Sequence, residues 1–394
     1  MRSNFRVITL FYAVLLILSA PCTHGQIRIG ETIDSLSYLN YSDGQVRLGS
    51  DKMGYIDSGV RLVVMDSVKD QYVVKLSRSW EAFIPKQFVG NIKEVTGDVD
   101  SLFDHLNSSW HLTSSENVDV LSLTFSEALP YRSIQEVSPN KIILDVFGAR
   151  SNATWFTQLS KAKVIEHVQM EQLEQDVIRF HIHLRGKQNW GYALKYQNNS
   201  LQVHVKHPPA KLSLKNLHIA IDAGHGGSST GAVGAQGTLE KEYYLLFALE
   251  LQKLLLKKGV KKVYMTRTGD YEVSTTDRVR TLKGINPDIL ISLHLNASSN
   301  TQVSGVSTYY KQQQSKALAS SILQQMLKLD LNEFGLIGNF NFLLNAPIEY
   351  PNTLVEIAFL SNPEDEEKVL QPAFHSKVAK QIYKGLKDWI KEIK

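Results

Sequence analysis

Two histidines and two glutamates occupy positions where α/β enzymes place their catalytic groups. His225 follows one apolar run, and His294 closes another. Glu240 stands just before a long apolar helical stretch, and Glu356 ends a further apolar run. Because ligands of α/β sheets bind at the carboxyl ends of the strands, these side chains are expected to converge. Two histidines and one carboxylate with an open fourth position are the ligand set of a catalytic zinc.

Each of these residues also has a structural explanation. His225 could be a turn residue, His294 a hydrogen-bonded core residue, Glu240 a favourable charge near a helix N-terminus and Glu356 the partner of an arginine. Their joint placement at strand ends favours the metal site.

Two neighbouring polar residues are candidates for supporting roles. Asp222 lies three residues before His225, and its carboxylate could accept a hydrogen bond from that ring. Alternatively, Asp222 is an aspartate at the end of a strand without a role at the site. Asn296, two residues after His294, could face a substrate. The glycines around His225 would let the backbone turn sharply and would clear space around the His225 imidazole.

The elements that must hold these residues begin near Leu217, where strands and helices start to alternate. This alternation predicts an α/β domain at residues 215–394, with a mostly parallel twisted sheet and flanking helices. The last helix is amphipathic and is expected to dock on the sheet, with a membrane-surface helix as the alternative. The predicted elements are strands at 217–222, 262–266 and 289–294 and helices at 242–258 and 374–393.

Two small β-rich domains are predicted before this α/β domain. Short alternating runs and turn residues indicate a small β-barrel at residues 26–95, similar to bacterial Src-homology-type modules or an unrelated spacer. A polar stretch at 107–116 is expected to separate it from a second β-rich domain at 117–207. His181 and His183 share one strand face there, and without a third ligand they indicate a solvated polar face rather than a metal pair.

Composition and the first residues indicate an exported globular protein. A chain of 394 residues predicts two or three domains at roughly 100 to 200 residues each. Positively charged residues at the N-terminus followed by about 14 apolar residues predict a signal peptide at 1–25. A membrane anchor is the alternative, but roughly 20 apolar residues are needed to span a membrane. Removal of that segment would remove Cys22, the single cysteine. The net charge of +4 is too small to predict nucleic-acid binding.

The segment from 217 to about 391 resembles the zinc-dependent N-acetylmuramoyl-L-alanine amidases of the division-amidase type. The unit before it resembles the AMIN domain that precedes some of these enzymes, mainly through its strand at 142–145. The matching blocks of the amidase segment are 221–227, 239–241, 266–267, 292–297, 305–310 and 354–362.

The resemblance implies roles for individual residues. His225, Glu240 and His294 would bind one zinc ion, and Glu356 would be the base that moves a proton from water to the leaving nitrogen. The implied reaction is hydrolysis of the amide bond between N-acetylmuramic acid and L-alanine of the peptidoglycan stem peptide, in wall remodelling and daughter-cell separation. A catalytically silent wall-binding scaffold and a zinc peptidase acting on the stem peptide are the alternatives.

The resemblance also bears on partners, location and regulation. It implies peptidoglycan as the partner, an activator protein of the envelope or division machinery as a further candidate, and a periplasmic or secreted, wall-associated protein without stable membrane insertion. The connection at 311–316 is too short to hold a helix that covers the zinc. The isolated fragment 211–394 is therefore expected to cleave a soluble muropeptide as fast as the mature protein.

Overall fold

A computed structural model describes residues 27–44, 52–153, 155–158 and 160–394. The signal peptide predicted at 1–25 lies outside the described residues. Among the helices that are described, none combines the length and the apolar character that a membrane span requires.

The first β-sheet is formed by short strands that pair in antiparallel fashion. Gly59 supplies the positive φ of 78° that the turn before β4 requires, a conformation that glycine adopts without strain. The strand order is β3-β2-β6-β5-β4-β1-β7. The strands are β1 (Ile27–Thr32), β2 (Tyr38–Asn40), β3 (Lys52–Tyr55), β4 (Arg61–Val68), β5 (Gln71–Lys75), β6 (Glu81–Pro85) and β7 (Val89–Val95).

The next unit has two sheets whose apolar faces share one core with the first sheet. Leu121 and Leu123 of one sheet and Ile142 and Leu144 of the other are fully buried in it, as alternation along each strand dictates. The orders are β10-β11-β15-β14 and β12-β8-β9-β17-β16, with β13 beside β8. The strands are β8 (His105–Ser114), β9 (Val118–Phe125), β10 (Tyr131–Val137), β11 (Asn140–Phe147), β12 (Ala149–Ser151), β13 (Phe156–Gln158), β14 (Ile165–Glu174), β15 (Val177–Leu184), β16 (Tyr192–Gln197) and β17 (Ser200–Lys206).

The polar stretch at 107–116 is not a separator, because most of it belongs to strand β8. The pairing of β8 with β9 shifts between Asn107 and Ser109, which interrupts the alternation of apolar residues. Asn107 is fully buried at this bulge and donates to the Thr124 carbonyl at 3.1 Å. The polar Asn107 and the interrupted alternation at the bulge are features that a linker sequence shares, and the strand was therefore not predicted.

The C-terminal domain has a sheet of order β19-β18-β20-β23-β21-β22. Neighbouring strands are parallel except β21 and β23, so β21 and β22 run against the other strands. The mostly parallel sheet is confirmed, with a reversed pair at one edge. The strands are β18 (His218–Ala223), β19 (Lys262–Met265), β20 (Ile289–Asn296), β21 (Val306–Tyr309), β22 (Glu333–Ile337) and β23 (Asn352–Phe359).

Helices cover both faces of this sheet. The core on one face joins alternate strand residues such as Ile291 and Val355 to α1, α3 and the apolar stripe of α5, so the last helix docks on the domain as predicted. Helix α2 and a turn around Leu344 cover the other face. The helices are α1 (Glu240–Lys257), α2 (Thr275–Ile285), α3 (Lys316–Met326), α4 (Pro363–Leu370) and α5 (Pro372–Ile393).

Candidate metal centre

The side chains of His225, Glu240 and His294 meet at one edge of the C-terminal sheet. One ligand atom from each residue can be chosen so that all three lie within 4.8 Å of one another. The distance from His225 Nε2 to Glu240 Oε2 is 3.6 Å. No other group of this kind occurs within the described ranges. The structure therefore brings together the three residues that the sequence predicted as metal ligands.

His225 lies in a tight turn directly after β18. Its φ of 45° is in the left-handed region, and Gly226 and Gly227 also have positive φ values. Its Nδ1 lies 2.8 Å from Ser229 Oγ, so Nε2 is the nitrogen that faces Glu240. The ring is therefore oriented by Ser229, and not by Asp222, the residue that the sequence suggested for this role.

The carboxylate of Asp222 is fully buried and is engaged elsewhere. It accepts hydrogen bonds from Arg278 at 2.8 Å, Thr266 at 2.6 Å and Ser292 at 2.7 Å. Burial alone would raise the pKa of Asp222, but Arg278 and the two hydroxyl donors lower it overall. Asp222 thus holds α2 and β20 against the end of β18 and does not contact the His225 ring.

Two buried arginines hold the backbone of the His225 turn. The Arg267 guanidinium donates to the carbonyls of Ala223 and Gly224 at 3.0 and 2.8 Å. Arg278 donates to the carbonyl of His225 at 2.7 Å. Arg267 lies in one of the sequence blocks that match the amidases, whereas Arg278 lies in none of them and was not predicted. Arg278 stands on the apolar face of the short helix α2, and this position could have indicated a buried arginine.

We expect the substitution Arg278→Met to lower the free energy of unfolding by about 3 to 5 kcal/mol, because it leaves the buried Asp222 charge without its partner. Urea denaturation measures the loss. The double variant Asp222→Asn/Arg278→Met is the control and should recover part of it, since no charge then remains unpaired. A loss below about 1 kcal/mol in the single variant would contradict this account.

Glu240 is the first residue of α1 and is almost fully buried. Its carboxylate accepts hydrogen bonds from the backbone amides of Leu295, at 3.2 Å, and Ala232. Burial nevertheless raises the pKa of Glu240 to about 7. The backbone of two different segments therefore fixes this carboxylate beside His225.

His294 and Glu356 lie side by side on the parallel strands β20 and β23. His294 Nε2 is buried and has no hydrogen-bond partner among the described residues. Burial lowers the pKa of His294 to about 4, so its ring is neutral and can offer a lone pair. Glu356 Oε2 is likewise buried without a partner. Burial and the nearby Glu240 raise the pKa of Glu356 well above its usual range.

Gly224 gives the His294 ring its space. A Cβ added at Gly224 would lie 2.8 Å from His294 Cε1 and 2.9 Å from Tyr244 Cε2, both closer than real contacts allow. This close approach is a packing requirement. It concerns the ring of His294, whereas the sequence suggested that the glycines clear space around the ring of His225.

We expect Gly224→Ala to weaken zinc binding at least tenfold, because the new methyl group must displace the imidazole of His294. Competition with a coloured chelator measures the affinity. Gly284→Ala is the matched control, because a Cβ at Gly284 in helix α2 would meet nothing within 4 Å. Equal zinc affinity in the two variants would refute the packing argument.

Aromatic side chains line the centre. The Phe342 ring lies 5.6 Å from the His294 ring, and the Phe340 ring lies 4.6 Å from the Tyr309 ring. Asn296 Nδ2 donates to the Tyr309 hydroxyl at 3.3 Å, and its suggested contact with substrate stays a prediction. Residues 311–316 lead through a short 3-10 turn into α3, without an inserted helix.

The histidine pair of the second domain does not form a comparable centre. His183 stacks on His167 with ring centroids 4.1 Å apart, and His181 Nε2 lies 3.6 Å from Glu171. These residues do not belong to a group of three converging ligand atoms in the described part of the chain. His181 and His183 are both half-buried, and their interpretation as a polar face stays a prediction.

The donor set at the C-terminal sheet fits a divalent cation. The site contains two carboxyl groups with raised pKa values, Glu240 and Glu356. It also contains the neutral His294 ring, whose Nε2 has no hydrogen-bond partner in the described part of the chain. A positive charge placed here would favour the ionised form of both carboxyl groups. Two histidines and one carboxylate are a zinc ligand set.

Comparisons with known proteins find similar amidases. The chain is 36% identical over 180 residues to the probable cell wall amidase LytH of Staphylococcus epidermidis, covering 45% of this chain and 59% of that protein. It is 30% identical over 218 residues to the N-acetylmuramoyl-L-alanine amidase AmiC of Escherichia coli, covering 43% and 52%. The chain thus spans little more than half the length of these relatives.

Solved structures include similar catalytic domains. The catalytic domain of CwlV, an N-acetylmuramoyl-L-alanine amidase from Bacillus (Paenibacillus) polymyxa, is 28% identical with a TM-score of 0.43, over 45% of this chain and 99% of that one. The amidase from Clostridium difficile 630 is 28% identical with a TM-score of 0.43, over 44% and 97%.

Two protein families match the chain in separate segments. Residues 219–388 match the family described as N-acetylmuramoyl-L-alanine amidase, and residues 110–206 match the AMIN domain. Both resemblances found in the sequence are confirmed. The chain therefore carries a C-terminal domain of the N-acetylmuramoyl-L-alanine amidase family, and an AMIN domain precedes it.

Proposed function

We propose that the protein is a zinc-dependent N-acetylmuramoyl-L-alanine amidase, a peptidoglycan hydrolase that cleaves the amide bond between N-acetylmuramic acid and L-alanine. The observation that carries this proposal is the convergence of His225, Glu240 and His294 within a domain of that family. We further propose that it acts outside the cytoplasm on the cell wall, in wall remodelling and daughter-cell separation.

In this proposal, His225, Glu240 and His294 bind the zinc ion. Zinc in such a site lowers the pKa of water from about 15.7 towards 7 and polarises a carbonyl group. The contacts of Ser229 with His225 and of the Leu295 amide with Glu240 orient two of the ligands before the metal binds. His294 keeps a free lone pair because its pKa is low.

Glu356 is proposed as the proton carrier. Its Oε2 is buried, has no hydrogen-bond partner among the residues that the structure describes, and belongs to the strand neighbour of His294. It can therefore take a proton from the attacking water and deliver it to the amide nitrogen. Delivery to the nitrogen matters because an amide's amine leaves poorly unless it is protonated. The aromatic rings of Phe340 and Phe342 line the side of the site near His294.

The decisive experiment is digestion of purified sacculi followed by mass spectrometry. The amidase should release stem peptides that begin with L-alanine, and chelation should stop the release until zinc is restored. Cleavage within the stem peptide would indicate a zinc peptidase instead. The alternative of a silent wall-binding scaffold would give no soluble product but would retain binding to sacculi. A requirement for an envelope or division activator would appear as activity only in its presence.

A further inference from the structure

One segment of the C-terminal domain contacts both the metal centre and the N-terminal domains. This wall segment, residues 338–350, connects β22 to β23. On its inner side, the Phe342 ring lies 5.6 Å from the His294 ring, and the Phe340 ring packs on Tyr309. The segment therefore forms one side of the space in which a substrate would meet the metal.

The AMIN domain holds the outer side of the wall segment. Ile348 packs against the core that the two N-terminal β-domains share. Its carbonyl accepts a hydrogen bond from the Tyr192 amide of β16 at 3.0 Å. Gly191 approaches so closely that an added Cβ would overlap the carbonyl oxygen of Glu349. The position of the segment thus depends on a domain that contributes no metal ligand.

The first β-domain holds the same segment from a second direction. Leu36 is buried in one apolar cluster with Leu344 and Tyr350 of the wall segment. Lys283 of α2 bridges the wall segment and the first β-domain, because its Nζ lies 3.3 Å from Glu349 and 5.0 Å from the centre of the Tyr55 ring. The wall segment is therefore packed between the metal centre and two other domains.

We propose that the N-terminal domains position the wall segment beside the metal centre, with Gly191, Leu36 and Ile348 as positioning residues for the reaction. This proposal rests on the proposed amidase function. It reverses the expectation that the isolated fragment 211–394 works as fast as the mature protein, since that fragment would expose the apolar contacts of Leu344, Ile348 and Tyr350. Misplacement of reacting groups by about 1 Å can cost up to about a hundredfold in rate.

The test compares two alanine substitutions within the full chain. Gly191→Ala introduces a methyl group against the wall segment, whereas Gly186→Ala meets nothing within 4 Å. Both glycines have positive φ, 113° and 84°, so both substitutions add backbone strain, but only Gly191→Ala touches the segment. The measurements are kcat and KM on a soluble muropeptide, zinc content, and hydrogen exchange of residues 338–350.

We expect Gly191→Ala to lower kcat/KM about tenfold, to keep its zinc and to exchange faster in the wall segment, while Gly186→Ala resembles the wild type in all three. Equal kcat/KM in the two variants, or equal exchange of the segment, would overturn the proposal. A wild-type protein that stays inactive even with envelope and division proteins added would instead refute the proposed function, and the exchange data would still report on residues 338–350.

A second pair of variants decides the matter if Gly191→Ala does not fold. Ile348→Ala removes most of the side chain that packs on the N-terminal core, whereas Ile348→Val keeps most of it. We expect the alanine variant to lose kcat/KM about tenfold with full zinc occupancy and the valine variant to recover it. Wild-type kcat/KM in Ile348→Ala would overturn the proposal.

Discussion

Substitution of His294 by alanine is expected to remove the bound zinc and to lower turnover by at least about a thousandfold, because the water of a metal-free site is not activated at neutral pH. The Nε2 atom of His294 has no hydrogen-bond partner among the described residues, so its loss leaves no protein donor or acceptor unsatisfied. The ring packs against Tyr244 and Phe342, so we expect some loss of stability but a folded protein, which circular dichroism checks. Metal analysis of the purified variant beside its rate on a soluble muropeptide gives both quantities.

His183→Ala is the matched control for this experiment. His183 lies on β15 of the AMIN domain, where it stacks on His167 and belongs to no group of converging ligand atoms within the described residues. Its removal should leave zinc content and turnover unchanged. Full turnover or full zinc occupancy in His294→Ala would exclude the proposed centre.

Substitution of Glu356 by glutamine should keep the zinc and lower kcat by about 10² to 10⁴, the contribution typical of general acid–base catalysis. The amide has the shape of the carboxyl group but cannot carry the proton from water to nitrogen. Glu240 raises the pKa of Glu356, and the Glu240 carboxylate is held by the Leu295 amide, which the substitution of Glu356 does not touch.

Glu240→Gln is the contrasting variant, since it replaces a proposed ligand and should lose metal affinity. Zinc content and rate, measured on both variants, separate the two roles. If Glu356→Gln lost its zinc as Glu240→Gln does, Glu356 would belong to the metal ligands and the base would have to be sought elsewhere.

Strand direction alone predicted that His225, His294 and Glu356 meet. The ligand role of Glu240, at the start of α1, was instead implied by the resemblance to the amidases. The apolar runs at 217–222 and 289–294 lie in the parallel neighbours β18 and β20, so His225 and His294 had to meet at one edge. Parallel pairing with β23 then placed Glu356 beside His294. Only chain direction and apolar character were needed for this part of the fold.

Other contacts could not be predicted because they depend on side chains that meet across elements. The orientation of His225 by Ser229 follows from the positive φ of His225, which no apolar pattern reports. The pairing of Arg278 with Asp222 depends on how α2 sits on the sheet. The packing of the wall segment against Gly191 needs the relative placement of whole domains.

The two arginines behind the His225 turn have a consequence for metal exchange. Arg267 and Arg278 fix this turn through backbone carbonyls, with contacts that do not involve a metal ion. Loading and unloading of the ion can then proceed on a native chain, unlike zinc fingers, in which metal binding and folding are one event. The ion should add stability only by mass action, RT ln(1 + [Zn]/Kd), so a chelated sample should keep its fold. Under the proposed function, such a protein folds before it acquires its metal and gains activity where zinc becomes available.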